Sequence, residues 1–354
     1  MIRQQEMPPP PTDAGHGFPW LRVLLGLLVG VGIMWLAVRQ VNLAEVGQAI
    51  LHAHLTYIFL GLAVILLTML AKAWRWQLLY YPTTPPPSLP GLFWAMTLGQ
   101  FVNLVIRLGE VARIYALEQD TAGVKARSLG TLVLEKTLDS LMLALTIALA
   151  LPFVVLPAFV TNYVPSLLII TSLAALGLTL IAYRAEWVLR LFEWGMRFVP
   201  ASLRDRFMRR LMRLVGSGLL GLSALRSHRQ TLVLVLLSAF IAFLGILTPL
   251  ILFPALGLPF GLLEATLLHT ILSIGLTPPS TPAKVGVFEW LTIWILGLVG
   301  LRDEALALSY GLIYHAVVIL PQTVLGIIAA ARLDWRQIFH ARSRPHTPPP
   351  NPEN

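Results

Sequence analysis

Ionisable residues around Gly109 stand where an anion could bind. Asn103, Arg107, Glu110 and Arg113 flank this glycine, directly after an apolar segment. A glycine allows close approach of another backbone or a headgroup, and a buried glutamate needs a cationic partner. An arginine can hold a phosphate through two parallel hydrogen bonds. The spacing predicts an anion site, and an ordinary juxtamembrane turn with a surface ion pair is the alternative.

A second group of charges lies at the start of the next apolar run. Glu135 and Asp139 are one helical turn apart on the same face, with Lys136 beside them. The two acids could pair with Arg107 or Arg113 across a bundle, serve as a proton site, or lie in the cytoplasmic headgroup layer. The sequence leaves these three interpretations open.

A proline-rich break, residues 277–289, forms the third candidate. It holds three prolines, the last of them Pro282, followed by Lys284, Gly286 and Glu289. Prolines cannot continue a helix, so the break must offer free backbone groups and a new helix N-terminus. Helix N-termini attract anions, and Lys284 adds positive charge there. An ordinary tight loop between two spans is the alternative.

The free-energy cost of a charge in the membrane indicates where the charged residues of these three segments can lie. A charge at the centre of a spanning helix costs about 2.5–3.5 kcal/mol, whereas each Leu or Ile contributes only about 0.3–0.6 kcal/mol. Such charges lie outside the lipid or in a protein-lined cavity. On the same ground Glu264, His269 and His315 are candidates to face a cavity.

Sequence motifs for a metal, a cofactor or catalysis are absent. His52 and His54 lack further ligands nearby, and no phosphate-binding loop, nucleophile elbow, zincin helix or dinucleotide fingerprint stands out. We therefore expect no metal, no cofactor and no catalytic residue.

Composition indicates a multi-pass membrane protein. The 354 residues are 56% hydrophobic and 12% charged, with a mean hydropathy of +0.75. The absence of cysteine excludes disulfides, thiolate metal sites and a cysteine nucleophile. The net charge of +9 comes from Lys and Arg in loops beside apolar runs, so anionic lipid headgroups are the expected partner and nucleic acid is not.

The apolar runs predict an all-α, polytopic membrane helix bundle of about eight spans within one domain, residues 20–331. The spans are predicted at 20–38, 55–74, 132–151, 164–183, 231–253, 261–276, 285–299 and 305–331. Residues 89–107 are too polar for a lipid-facing span and predict a re-entrant or broken helix. Tryptophans mixed with cations at 72–76 are typical of a membrane interface.

The remaining segments predict orientation. Residues 184–229 hold ten arginines against three acids, which predicts a cytoplasmic loop with amphipathic helices on the inner leaflet. Residues 1–19 and 332–354 predict disordered tails. With re-entry at 89–107, eight spans place both termini in the cytoplasm.

Each half of the chain contains a relatively polar, interrupted apolar segment that ends in a Gly and a Glu. Such pairs point to a binding site at the interface of an inverted repeat, although the internal similarity is faint.

Three motifs in this order resemble the lysylphosphatidylglycerol synthase transmembrane-region family, also called the flippase-like domain family, over about residues 20–331. They are Asn103-x3-Arg107-x-Gly109-Glu110-x2-Arg113, then Glu135-x3-Asp139, then Pro279-Ser-Thr-Pro282-x3-Gly286-x2-Glu289. The sequence departs from the family at Val105, where a proline is usual, and at Ala283 and Lys284, where two glycines are usual.

The resemblance implies a multi-pass protein of the inner or plasma membrane. Some relatives are fused to aminoacyl-phosphatidylglycerol synthase domains and flip the product lipid between leaflets, and others are associated with polyprenyl-linked sugar pathways. The soluble transferase domain is absent from this sequence, so we expect no enzyme activity.

The leading hypothesis is a lipid flippase-like transporter or translocation protein for an anionic phospholipid or a lipid-linked phosphate. Arg107, Arg113 and Lys284 would hold the phosphate. The acids would orient those cations and could carry a coupling proton; they are Glu110, Glu135, Asp139 and Glu289.

Two alternatives belong to other classes. A non-transporting subunit would dock a glycosyltransferase or lipid synthase through the basic loop. A membrane-embedded transferase would use Glu135 or Asp139 as a base, but the sequence has no donor-binding motif. The sequence leaves homo-oligomerisation open.

Overall fold

The computed structural model describes residues 28–35, 38–39, 41–82, 86–106, 108–117, 122–150, 153, 164–183, 223–277 and 281–333. Regular structure in these residues is helical, as predicted, with no strand. The ten α-helices with assigned ends are α1 (Leu43–Leu51), α2 (Leu55–Leu78), α3 (Leu89–Val105), α4 (Gly109–Tyr115), α5 (Ala122–Ala150), α6 (Val164–Tyr183), α7 (His228–Leu252), α8 (Leu262–Gly275), α9 (Val287–Leu298) and α10 (Glu304–Arg332). Short 3-10 turns lie at Ser223–Arg226, Phe253–Leu256 and Pro282–Lys284, and residues 28–35 are also helical.

Polar side chains fix the first turns of several helices. The side chain of Ser88 accepts a hydrogen bond from Gly91 N at the start of α3, and Asp303 accepts one from Leu306 N at the start of α10. These oxygens satisfy N–H groups that have no partner within a first helical turn. The starts of α3 and α10 are therefore set by local sequence.

Within the described residues, three helices are long and apolar enough to cross a membrane. They are Leu55–Leu78, His228–Leu256 and Glu304–Arg332, with mean hydropathies of 2.1, 2.6 and 1.9. Large apolar side chains also cover the outside of the bundle, including Phe59 and Leu236, which are 65% and 60% exposed. Such a surface suits lipid and not water. The protein is an all-α membrane helix bundle.

The interrupted segments are broken as the sequence predicts. Helix α3 ends at Val105, the backbone at Ile106 is extended, and α4 starts at Gly109. Helices α8 and α9, with 14 and 12 residues, lie on either side of the proline break. At 1.5 Å per residue they are about 21 Å and 18 Å long, shorter than the hydrocarbon core of about 30 Å. Neither crosses the membrane alone, so the count of eight spans stays a prediction.

Two large apolar clusters, together with two small ones, form the core of the described bundle. One contains α8, α9, the end of α7 and the first part of α10, and the other contains the end of α2 with α3, part of α5 and the end of α10. Helix α2 packs along α7, and α3 packs along α10. Helix α10 therefore joins the two clusters, and the candidate site lies between them.

Several predicted segments lie outside the described residues. They include the tail 1–19, most of the basic loop 184–229 with its predicted amphipathic helices, and nearly all of the tail 332–354.

Candidate functional site

The first motif forms a buried ion-pair cluster. Arg113 Nη2 and Nη1 donate to the two carboxylate oxygens of Glu135 at 2.6 and 3.4 Å, and Arg113 Nε lies 3.1 Å from Glu110 Oε2. The guanidinium also lies over the ring of Trp76, 4.5 Å from its centroid. Arg113 and Glu135 are each only 4% exposed. Of the three interpretations of Glu135, the structure shows the pairing across the bundle.

A second arginine, which sequence reasoning missed, pairs with the other acid. Arg75 is fully buried on α2, its Nη2 lies 2.7 Å from Asp139 Oδ1, and its Nη1 donates to Ser238 Oγ at 3.0 Å. Arg75 and Trp76 lie inside the bundle and not on its outer surface, while the predicted position of residues 72–76 at the membrane interface stays a prediction. The cost of a charge within an apolar helix was the signal that could have found Arg75.

Glycine at position 109 lets α4 lie directly against α3. A Cβ atom added at Gly99 would lie 2.6 Å from Gly109 O, and one added at Gly109 would collide with Gly99 O and with Asn103. Gly109 N also donates to Asn103 Oδ1 at 2.8 Å. This close contact fixes the start of α4 and thereby the positions of Glu110 and Arg113.

Glu289 makes two contacts that stabilise the proline-rich break, residues 277–289. Its Oε2 accepts a hydrogen bond from Gly286 N at 2.7 Å, and its Oε1 contacts His315 Nδ1. Gly286 has a φ of 85°, and a Cβ atom there would collide with the carbonyl of Gly30. The glutamate therefore holds the start of α9 and the turn that begins at Pro282.

A cavity of about 440 Å³ lies where the two halves of the chain meet. Its wall contains side chains from α2, α3, α5 and α7–α10, together with Lys284. Asp139 belongs to the first half and Lys284 to the second, and α3 also packs against the Pro282–Lys284 turn. The cavity therefore lies between the two halves of the chain, and the inverted repeat itself stays a prediction.

The charges in the cavity wall favour an anion. Lys72 and Lys284 contribute positive charge, and Asp139, the only acid among the described lining residues, is paired with Arg75. Charges in a site of low dielectric interact more strongly than in water. With Lys72 and Lys284 protonated, the wall as a whole is positive.

An apolar groove of about 480 Å³ adjoins the cavity between α5 and α6. Its apolar lining includes Leu132, Val133, Ile170 and Ala174. The ion pair between Lys136 Nζ and Glu110 Oε1, 2.7 Å long, also borders it. Ser140 lines both the groove and the cavity, so a polar and an apolar compartment meet there.

The predicted site residues thus occupy different places. Asp139 and Lys284 line the cavity, as does His269. The residues that form ion pairs or turns behind it are Asn103, Gly109, Glu110, Arg113, Glu135, Pro282, Gly286 and Glu289. Arg107 lies outside the described residues. Glu264 caps Gly261 N at the start of α8 and does not face the cavity.

Lys72 is a charged residue of the cavity wall that sequence reasoning did not select for the site. The described part of the chain places no three His, Cys, Asp or Glu side chains together for a metal ion.

Comparison with known proteins identifies the family of the chain. No curated protein and no solved structure matches it. Residues 23–326, which include both interrupted segments and every residue of the cavity wall, match the family described as the lysylphosphatidylglycerol synthase TM region. The protein is therefore a member of the lysylphosphatidylglycerol synthase transmembrane-region family.

Proposed function

We propose that the protein moves an anionic phospholipid or a lipid-linked phosphate between the leaflets of the plasma membrane. The observation that carries this proposal is the positive cavity in the middle of a membrane helix bundle. A phosphate would pay a prohibitive desolvation cost in bare hydrocarbon, and a polar, cationic lining offsets that cost. Both termini would face the cytoplasm.

Lys72 and Lys284 are the phosphate contacts in this proposal. They lie on opposite halves of the chain and line one cavity. A lysine ammonium offers three hydrogen-bond donors and a compact positive charge, which suits a phosphate oxygen. Arg107 stays a predicted contact.

Arg113 has a positioning role in place of the predicted phosphate contact. Glu135 occupies two of its nitrogens, Glu110 lies beside the third, and Trp76 covers its face. Arg113 also does not line the cavity. With Glu135 it fixes the face of α5 from which Asp139 reaches the cavity wall.

The adjoining groove supports a lipid over a soluble anion. An anion without a tail needs only the cavity, whereas a lipid needs an apolar place for its chain beside the headgroup site. The groove between α5 and α6 offers apolar side chains next to Ser140, where it meets the cavity. We place the headgroup in the cavity and one chain in the groove.

Reconstitution into liposomes tests the proposal. Fluorescent phosphatidylglycerol or phosphatidylcholine is placed in both leaflets, and a membrane-impermeant quencher reports how fast inner-leaflet lipid reaches the outside. We expect the protein to accelerate phosphatidylglycerol more than phosphatidylcholine. Lys72→Gln and Lys284→Gln each remove a charged contact worth about 1.5–3 kcal/mol, which predicts a loss of roughly 10- to 100-fold.

Arg302→Gln is the matched control, because Arg302 is an exposed cation outside the cavity. It should leave the rate unchanged. Equal rates for the two lipids, or no effect of either lysine substitution, would contradict the proposal.

The alternative docking role depends on the basic loop, of which only residues 223–229 are described, and it stays a prediction.

A further inference from the structure

A buried histidine and glutamate lie behind the cavity and have no role in the phosphate contacts. Glu289 is 1% exposed and His315 is 6% exposed. His315 Nδ1 contacts Glu289 Oε1, and His315 Nε2 lies 3.0 Å from the backbone carbonyl oxygen of Ala283. The pair therefore links α9 and α10 to the turn that carries Lys284.

The hydrogen-bond partners determine how many protons the pair holds. A carbonyl oxygen only accepts, so His315 Nε2 must carry a hydrogen to bond with Ala283 O. A further proton must then lie between His315 Nδ1 and Glu289 Oε1. Whether it belongs to the imidazole or to the carboxyl group, the pair is neutral overall. Without it, a nitrogen lone pair would face a buried carboxylate, which is unfavourable.

Loss of that proton has a defined structural consequence. A neutral histidine has one N–H, and Glu289 as a carboxylate attracts it to Nδ1. Nε2 then presents a lone pair to Ala283 O, and the hydrogen bond to the turn is lost. The turn needs such support, because Ala283 and Lys284 have φ values of 50° and 63°, in the left-handed region that L-residues rarely adopt.

The cavity lies next to this pair. The ring of Phe288 lines the cavity and stacks on His315, with centroids 4.4 Å apart. Residues 28–35, which contact Gly286, carry no charged side chain. The titratable groups around the pair in the described chain are Lys284 in the turn, Tyr314 on α10, and Lys72, Asp139 and His269 in the cavity wall.

We propose that His315 and Glu289 form a proton site that holds Lys284 in the cavity, so that the protein binds one proton together with an anionic headgroup. This inference rests on the proposed function. Coupling between two sites is reciprocal. Headgroup binding therefore takes up a proton from solution, and loss of the proton weakens headgroup binding.

Glu289→Gln keeps the hydrogen bonds of the pair but removes its ability to gain or lose the shared proton. The amide oxygen can accept from Gly286 N, and the amide nitrogen can donate to Nδ1 of a neutral His315 whose Nε2–H still bonds to Ala283 O. The variant therefore imitates the protonated pair permanently. Glu264→Gln is the matched control, because Glu264 caps Gly261 N at the start of α8 as Glu289 caps Gly286 N at the start of α9.

Titration calorimetry of the purified full-length protein with short-chain phosphatidylglycerol, between about pH 5 and pH 9, tests the inference. Repeating it in buffers of different ionisation enthalpy gives the protons taken up per lipid. We expect the wild type and E264Q to take up as much as one proton and to bind about 10-fold or more weakly at the alkaline end. E289Q should show neither proton uptake nor this weakening.

Two other outcomes would overturn the inference, and they can be told apart. If E289Q binds the lipid with the same proton uptake as the wild type, the proton site is wrong and the proposed function stands. If the wild type binds no phosphatidylglycerol at any pH, the proposed function fails and the inference fails with it. His315→Gln removes the imidazole and should also abolish proton uptake, which keeps the test decisive should E289Q not fold.

Discussion

Glu135→Gln should destabilise the bundle because Arg113 loses its buried carboxylate partner. Breaking a buried ion pair by removing one partner costs about 3–5 kcal/mol. Here Glu110 remains 3.1 Å from Arg113 Nε, although its side chain is 37% exposed. Because that second acid compensates in part, we expect a loss near the lower limit, about 3 kcal/mol.

Thermal unfolding in detergent, followed by tryptophan fluorescence, measures this effect. Trp76 lies against Arg113 and is fully buried, and it is one of ten tryptophans in the chain, so the total emission follows unfolding of the protein as a whole. At about 2 °C per kcal/mol for a large chain, the unfolding temperature should fall by roughly 6 °C. Scans must share one heating rate, because irreversible unfolding makes the midpoint rate-dependent.

The double variant Arg113→Met with Glu135→Leu tests whether the unpaired charge of Arg113 causes the loss of stability. Replacing a whole buried pair with apolar side chains is often neutral or stabilising, so the double variant should unfold at a higher temperature than E135Q. Glu304→Gln, at an exposed position in the first turn of α10, is the control. If E135Q unfolds within about 1 °C of E304Q, roughly 0.5 kcal/mol on this scale, the ion pair does not stabilise the bundle and the reasoning is refuted.

Further predictions use the same unfolding assay. Gly109→Ala forces a methyl group against Gly99 O and should lower the free energy of unfolding by about 1–3 kcal/mol. Gly177→Ala, with open space around it in α6, should be neutral or stabilising. Equal unfolding temperatures for the two variants would contradict the close contact between α3 and α4. Tyr310→Phe removes the hydroxyl that donates to Pro249 O at 2.8 Å and should cost about 1 kcal/mol, and an unchanged unfolding temperature would show that this hydrogen bond contributes nothing.

Helix boundaries were predictable where apolar runs have polar flanks. The prediction for residues 164–183 has the same ends as α6. Helix α5 instead begins at Ala122, ten residues before the predicted start at 132, because polar residues at its start resemble a loop. Arg127 in that region donates to the carbonyl oxygens of Tyr80 and Tyr81. Such a tertiary contact supports a helical turn without leaving a pattern in the local sequence.

The candidate site was predictable only in part. The free-energy cost of a charge in an apolar run pointed to Asp139, and the proline-rich break pointed to Lys284. Both residues line the cavity. Lys72 and Arg75 were assigned to the membrane interface because tryptophans lie beside them. Asp139, the partner of Arg75, is 64 positions further along the chain, and only the packing of the helices brings the two side chains together.

The proline-rich break, residues 277–289, was also predictable only in part. The prolines predicted its position, and the burial cost of a histidine drew attention to His315. The contacts of His315 with Glu289 and Ala283 depend on how α10 packs against α9. No spacing within one segment could have predicted them.

Native mass spectrometry of the purified protein tests the central claim most directly. A positive cavity beside an apolar groove should retain a phosphate-bearing, anionic lipid through purification, and the spectrum should show its mass on the intact protein. The double variant K72Q/K284Q should lose that adduct, while R302Q keeps it. Retention of the same lipid by K72Q/K284Q, or a wild type that carries only zwitterionic lipid, would contradict the account.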